Sequence, residues 1–176
     1  AALQQDLLAP LPEGYRSEIL PQLPWWIDAV CGQLEAGLAV FVDYGYPRRE
    51  YYLPERDDGT LICHYHHRAH GDALRWPGLQ DITAHVDFTA MADAALDGGL
   101  DVLGYTSQAR FLMNAGLTDP IQAPGEDPAQ RARQLTALNT LLSEAEMGEL
   151  FKVLAVGRGL EAPLMGFARG DRRDRL

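Results

Sequence analysis

Leu38-Ala39-Val40-Phe41-Val42 is the longest unbroken apolar run in the chain, and it stands between Gly37 and the triplet Asp43-Tyr44-Gly45. Five residues fall far short of the ~18 that a membrane-spanning helix needs. A run apolar at odd and even positions alike predicts a strand buried on both faces, as in a parallel sheet covered by helices. Just upstream, Trp25–Ala36 sets Trp26, Val30, Gln33 and Leu34 at helical spacing, with Gly37 as the stop. A helix leading directly into a buried strand predicts an α/β fold.

The rest of the chain supports that class. Residues 1–24, with four prolines and Gly14, read as an irregular connection with one short strand. Thr60–His67 reads as a polar strand, and Ile82, Ala84 and Val86 alternate with Thr83, His85 and Asp87. Asp87 is placed to cap a helix that begins at Phe88 and stops at Gly98-Gly99. A short strand over Asp101–Tyr105 precedes a helix capped by Thr106 or Ser107. Asp127-Pro128 starts a further helix with the stripe Ala132, Leu135, Leu138 and Leu142. Ser143-Glu144-Ala145-Glu146 matches a capping box. Phe151–Val156 reads as a second buried strand, to which Leu164–Ala168 could pair. With 176 residues and no repeat or linker, residues 1–176 form one expected domain.

Charge narrows the partners. Fifteen basic residues against 25 acidic ones give a net charge of −10, and the only basic cluster, Arg169 to Arg175, is interrupted by Asp171 and Asp174. Nucleic acid is therefore not an expected partner. An acidic surface suits a basic small molecule or an arginine- and lysine-rich segment, although solubility alone is the readier explanation. Two cysteines, Cys31 and Cys63, make neither a disulfide scaffold nor a metal framework, and a reducing compartment is the simpler expectation.

Three segments could carry chemistry. Asp43-Tyr44-Gly45 follows a buried strand, where ligands sit in open α/β sheets; the triplet is also ordinary turn chemistry. Cys63-His64-Tyr65-His66-His67-Arg68-Ala69-His70 invites a metal, but on a strand His67 faces away from His64 and His66, so a cleft-lining role is preferred and no metal is expected. Asp81–Phe88 runs alternating polar groups, including Thr83 and His85, into a helix start. Gly157-Arg158-Gly159 follows a strand yet lacks the third glycine and helix of a nucleotide loop, and no phosphate loop or nucleophile elbow occurs.

Several segments together resemble one family, the MidA-type S-adenosylmethionine-dependent methyltransferases. They are Glu18-Ile19, Val42-Asp43-Tyr44-Gly45, Gly59-Thr60-Leu61 leading to His67, and Pro77-Gly78. Asp81-Ile82-Thr83-Ala84-His85-Val86-Asp87-Phe88, Thr106–Leu112 and Phe151–Ala155 continue the set. The resemblance covers most of residues 13–157 and is to the C-terminal half of the family alone. It implies the far portion of a class I, Rossmann-like methyltransferase sheet, with Leu38–Val42 as the fifth strand, Phe151–Val156 as the last, and 46–80 as an insertion on the substrate side. It implies a protein-arginine substrate, a link to respiratory complex I assembly, and Asp43, Tyr44 and His85 near the transferred methyl. Gly45, His67, Asp81 and Thr83 would bind or orient the substrate.

The strand and glycine-rich loop that hold the cofactor lie upstream in that family. The chain, which opens on Ala1, is thus expected to begin in mid-sequence, to need an N-terminal half or second chain to bind S-adenosylmethionine, and to expose a sheet edge that this partner or a homodimer contact covers. The alternatives are an interaction or assembly domain without turnover and, less favoured, a metal-dependent hydrolase. A cytoplasmic location is expected, or a mitochondrial one in a eukaryote.

Overall fold

The computed structural model describes residue 7 and residues 10–118 and 127–176. The elements in chain order are α1 (Leu23–Cys31), β1 (Gly37–Tyr46), α2 (Arg48–Tyr51), β2 (Ile62–Tyr65), β3 (Arg68–His70), β4 (Asp81–Thr83), β5 (Val86–Asp87), α3 (Phe88–Asp97), β6 (Asp101–Ser107), α4 (Gln108–Asn114), α5 (Pro128–Leu142), α6 (Met147–Leu150) and β7 (Phe151–Arg158). The main sheet has the order β5-β1-β7-β6, and β3-β2-β4 forms a small second sheet. The α/β class expected from the sequence is the class observed.

The strand buried on both faces is β7, not β1. Leu154 and Val156 join Ile27, Cys31, Phe88 and Tyr105 in one cluster, while Val153 and Ala155 meet Phe167 on the opposite face. Along β1, Ala39 and Phe41 pack against the first cluster, but Leu38, Val40 and Val42 are 39%, 42% and 50% exposed. Strand β1 is antiparallel to β7 from Gly37 to Tyr44 and parallel to β5 only at Gly45 and Tyr46. Among the described residues, no strand pairs with its other edge from Gly37 to Tyr44, so an apolar face and an edge stay open.

Helix α1 ends at Cys31 and turns the expected stripe outward. Ile27 and Cys31, four residues apart, are buried, whereas Trp26 and Val30 are exposed. Asp87 caps α3 as expected, its Oδ1 accepting from the Ala90 amide at 3.0 Å, and Ser107 caps α4 through the Arg110 amide at 3.4 Å. Arg158, at the end of β7, donates to the carbonyls of Leu34, Gly98 and Gly99, which ties α1 and α3 to the sheet.

Four other expectations are corrected. Thr60–His67 is not one strand, because His66 and His67 take φ of 47° and 62° and form the two-residue turn between β2 and β3. The α5 stripe has no buried residue. Ser143 stands at the C-terminal cap of α5, with its hydroxyl bonded by the Ala145 amide, and α6 has no side-chain cap. Met165–Phe167 is a single 3-10 turn that packs on the sheet through Phe167 instead of pairing with β7. Among the described residues, no helix is long and apolar enough to cross a membrane.

Candidate functional site

Strand β1 delivers Asp43, Tyr44, Gly45 and Tyr46 to one end of the sheet, and the two-residue strand β5 holds His85 against them. Gly45 makes this possible, because a Cβ there would lie 2.2 Å from the Val86 carbonyl oxygen. Tyr46 stacks on the imidazole at 5.3 Å between centroids and 11° between planes, while Tyr44 meets it edge-on at 5.1 Å and also touches Phe151. The His85 amide donates to Thr60 Oγ1 at 3.0 Å. Among the described residues, His85 Nδ1 is buried without a hydrogen-bond partner. Burial, followed by the nearby Arg56 charge, lowers the imidazole's pKa below its ordinary value, so the ring is neutral at pH 7.

Glu18 fixes the loop behind this ring. Its carboxylate accepts from the Thr60 amide at 2.9 Å, the Thr60 hydroxyl at 3.1 Å and the Leu61 amide at 3.2 Å. Gly59, at φ 78°, leaves room for it. Replacing Glu18 with alanine strands two amides and a hydroxyl, an expected cost of about 2–3 kcal/mol. Urea unfolding checks this, and an unchanged midpoint would show that the clamp carries no stability.

Two hollows meet at His85. The first, about 650 Å³, lies between α1, α2, α3 and the end of β1, with Phe41, Asp43, Tyr51, Tyr52 and Asp87 among its walls. Arg48 bridges Asp87 at 3.5 Å and Asp93 at 2.8 Å. Burial raises the Tyr52 hydroxyl to about 12, so it stays protonated. The second hollow, about 720 Å³, runs between the small sheet and the start of β7 and includes Tyr44, Asp81, Thr83 and His85. Asp43 is exposed, and among the described residues its carboxylate accepts only from the neighbouring Tyr44 amide.

Six of the seven residues singled out in the sequence come to this region: Asp43, Tyr44, Gly45, Asp81, Thr83 and His85. His67 does not; it is exposed in the β2–β3 turn and lines neither hollow. Sequence reasoning missed Arg56 and Lys152, which both lie over the Tyr46 ring, Arg56 at 4.1 Å. Lys152 is buried in β7 and held by Glu149, and burial lowers its pKa. Its signal is legible, as the only lysine of the chain, set within the otherwise apolar run Phe151–Val156. Among the described residues, no three His, Cys, Asp or Glu side chains converge as a metal would require.

The site suits a cation better than a nucleoside cofactor. A cofactor carboxylate or phosphate is held by a glycine-rich turn from strand into helix. The residues that precede the helices following β1, β5 and β6 are Pro47, Asp87 and Ser107, none of them glycine. The described residues therefore do not fit S-adenosylmethionine by themselves. The Asp43 carboxylate, which has no ion pair among the described residues and lines the first hollow with Tyr51, Tyr52 and His85, does fit a guanidinium or ammonium group.

The chain is similar to several known proteins. Residues 2–106 match the family model described as "Putative S-adenosyl-L-methionine-dependent methyltransferase". The mitochondrial protein arginine methyltransferase NDUFAF7 of Danio rerio is 33% identical over 128 residues, which is 69% of this chain and 27% of that protein. Its Homo sapiens counterpart is 30% identical over 130 residues, 70% of this chain and 26% of its own length. Two crystal structures of Burkholderia thailandensis proteins are each 50% identical and cover 97% of this chain. One is native, with a TM-score of 0.90, and one is bound to S-adenosyl-homocysteine, with a TM-score of 0.87. The chain spans 45% and 43% of those two proteins and about a quarter of the curated relatives. The chain belongs to the S-adenosyl-L-methionine-dependent methyltransferase family.

Proposed function

We propose that this chain is the substrate-side portion of a protein-arginine methyltransferase, whose cofactor cradle lies in sequence that its longer relatives carry outside the matched region. The observation that carries the reading is the Asp43 carboxylate, which has no ion pair among the described residues and opens with His85 on the first hollow, next to a β1 edge that no described strand covers. S-adenosylmethionine is the methyl donor in this reading, and no residue here is assigned to hold it. Asp43 would take the substrate guanidinium in a charge-assisted pair beside His85, where the two hollows meet. The neutral His85 ring would accept a hydrogen bond from the guanidinium. The names of the relatives support an arginine substrate and, for a eukaryotic protein, a mitochondrial location; the family resemblance adds a role in respiratory complex I assembly, and a bacterial protein of this kind would be cytoplasmic.

A second reading, an assembly domain without turnover, is favoured by one observation. Exposed Trp26 and Val30 on α1, together with Leu38, Val40 and Val42, wrap the open edge of β1 in apolar surface. Another chain or a second copy could cover that surface with no chemistry following. Calorimetric titration with S-adenosylmethionine separates the two. The expected result is no saturable binding by residues 1–176 and binding, with methyl transfer to an arginine peptide, once the chain is extended to the length of its solved relatives. Tight binding by residues 1–176 alone would overturn the missing-cradle account. Failure of the extended protein to bind would favour the assembly domain.

A further inference from the structure

We infer that the second hollow seats an extended, basic segment of the protein substrate, with its target arginine at the Tyr44–His85 end and a second cation four residues away, over Asp81. The inference rests on the proposed arginine methyl transfer and adds to it a docking register.

The antiparallel pairing of β2 with β4 sets Ile62 opposite Thr83 and His64 opposite Asp81, which places all four on one face of the small sheet. Leu150 and Phe151 form the facing wall. Asp81, Thr83 and His85 are alternate residues of a nearly extended stretch, and all three line the hollow. Two residues of extended chain advance about 6.4–6.8 Å, so a segment laid alongside keeps step with this row. Its residues at even spacing face the row, and those at odd spacing face away.

Three features select the occupant. Asp81 is exposed, and its carboxylate has no ion pair among the described residues, in a chain of net charge −10. Strand β4 is an outer strand of its sheet, and beyond its pairing with β2 its backbone makes no hydrogen bond to another described element. Its free amides and carbonyls suit the addition of an extended chain. The partly exposed Ile62 and Leu150 provide apolar surface for the methylene stems of arginine and lysine, whose charged ends stay in water.

The test uses the full-length protein and fluorescently labelled peptides with a single arginine in a threonine- and valine-rich background. Fluorescence anisotropy at low salt should show about 3–5-fold tighter binding when a lysine stands four residues from the arginine than when it stands three away. The Asp81→Asn variant should lose that difference, and glutamate in the lysine position should weaken binding. Equal affinity at spacings of three and four, or an unchanged preference in Asp81→Asn, would overturn the docking register. Methyl transfer followed on the same peptides keeps the two claims apart. The spacing preference without arginine methylation would uphold the groove and sink the proposed reaction. Methylation indifferent to spacing and to Asp81 would do the opposite.

Discussion

Replacing Gly45 with alanine is expected to destabilise the protein by about 3 kcal/mol and to cut turnover of the full-length enzyme at least a hundredfold. The new methyl group would sit 2.2 Å from the Val86 carbonyl oxygen and 2.7 Å from its nitrogen. Both are backbone atoms of β5, so no side chain can swing aside to relieve the clash, and overpacking against backbone lies at the costly end of its range. Strand β5 is two residues long and pairs with β1 only at Gly45 and Tyr46. Pushing it away therefore moves His85 off Tyr44 and Tyr46, and a displacement of about 1 Å at a reacting centre is enough for a hundredfold loss. Gly71→Ala is the control, because a Cβ there meets nothing within 4 Å. Urea unfolding and an activity assay on both variants check the prediction. A Gly45→Ala protein with the unfolding midpoint and rate of the Gly71→Ala protein would show that this close approach is not what holds the site.

What the sequence showed and what it hid follow from the range of the interactions involved. Caps are local, so Asp87 and Ser107 could be read from the residues beside them. The Asp43-Tyr44-Gly45 and Thr83–Asp87 segments stood out because polar residues interrupt apolar runs within a few positions. That both reach the same end of the sheet depends on parallel pairing across some forty residues, which spacing cannot show. Spacing does not fix the buried face of α1, because Ile27 and Cys31 satisfy the same four-residue period as Trp26 and Val30. Only the position of α3 decides between them. The composition of Leu38–Val42 predicts burial on both sides, whereas no described element covers Leu38, Val40 and Val42. Leu164–Ala168 has the apolar character of a strand, but Phe167 is taken up in the core by a 3-10 turn. Arg56 was not legible at all, since it reaches Tyr46 from the far end of an irregular stretch.

The second large effect is expected at His85. Phenylalanine there keeps an aromatic ring between Tyr44 and Tyr46 and removes both ring nitrogens. Nδ1 is buried without a partner, so its loss relieves an unsatisfied polar atom, and the His85→Phe variant should be at least as stable as the wild type at pH 7. If the neutral ring receives a proton from the substrate guanidinium, turnover of the full-length enzyme should nevertheless fall by about 10²–10⁴-fold, the range of general base catalysis. The charged groups acting on the ring are Arg56 and Lys152, which disfavour the imidazolium, and Glu18 and Asp43, which favour it. Burial outweighs them all and depresses the pKa. Below the ordinary histidine value of 6.5, the unfolded chain therefore binds a proton that the native ring does not. Wild-type stability should be complete above that pH and decline as pH falls from it toward the depressed native value, a slope that His85→Phe should lack. The wild-type rate should likewise show an acid limb below pH 6.5. Wild-type turnover with the same acid limb in His85→Phe would remove His85 from the chemistry. A variant that is more stable and nearly inactive would mark the imidazole as kept for function, at a cost to the fold.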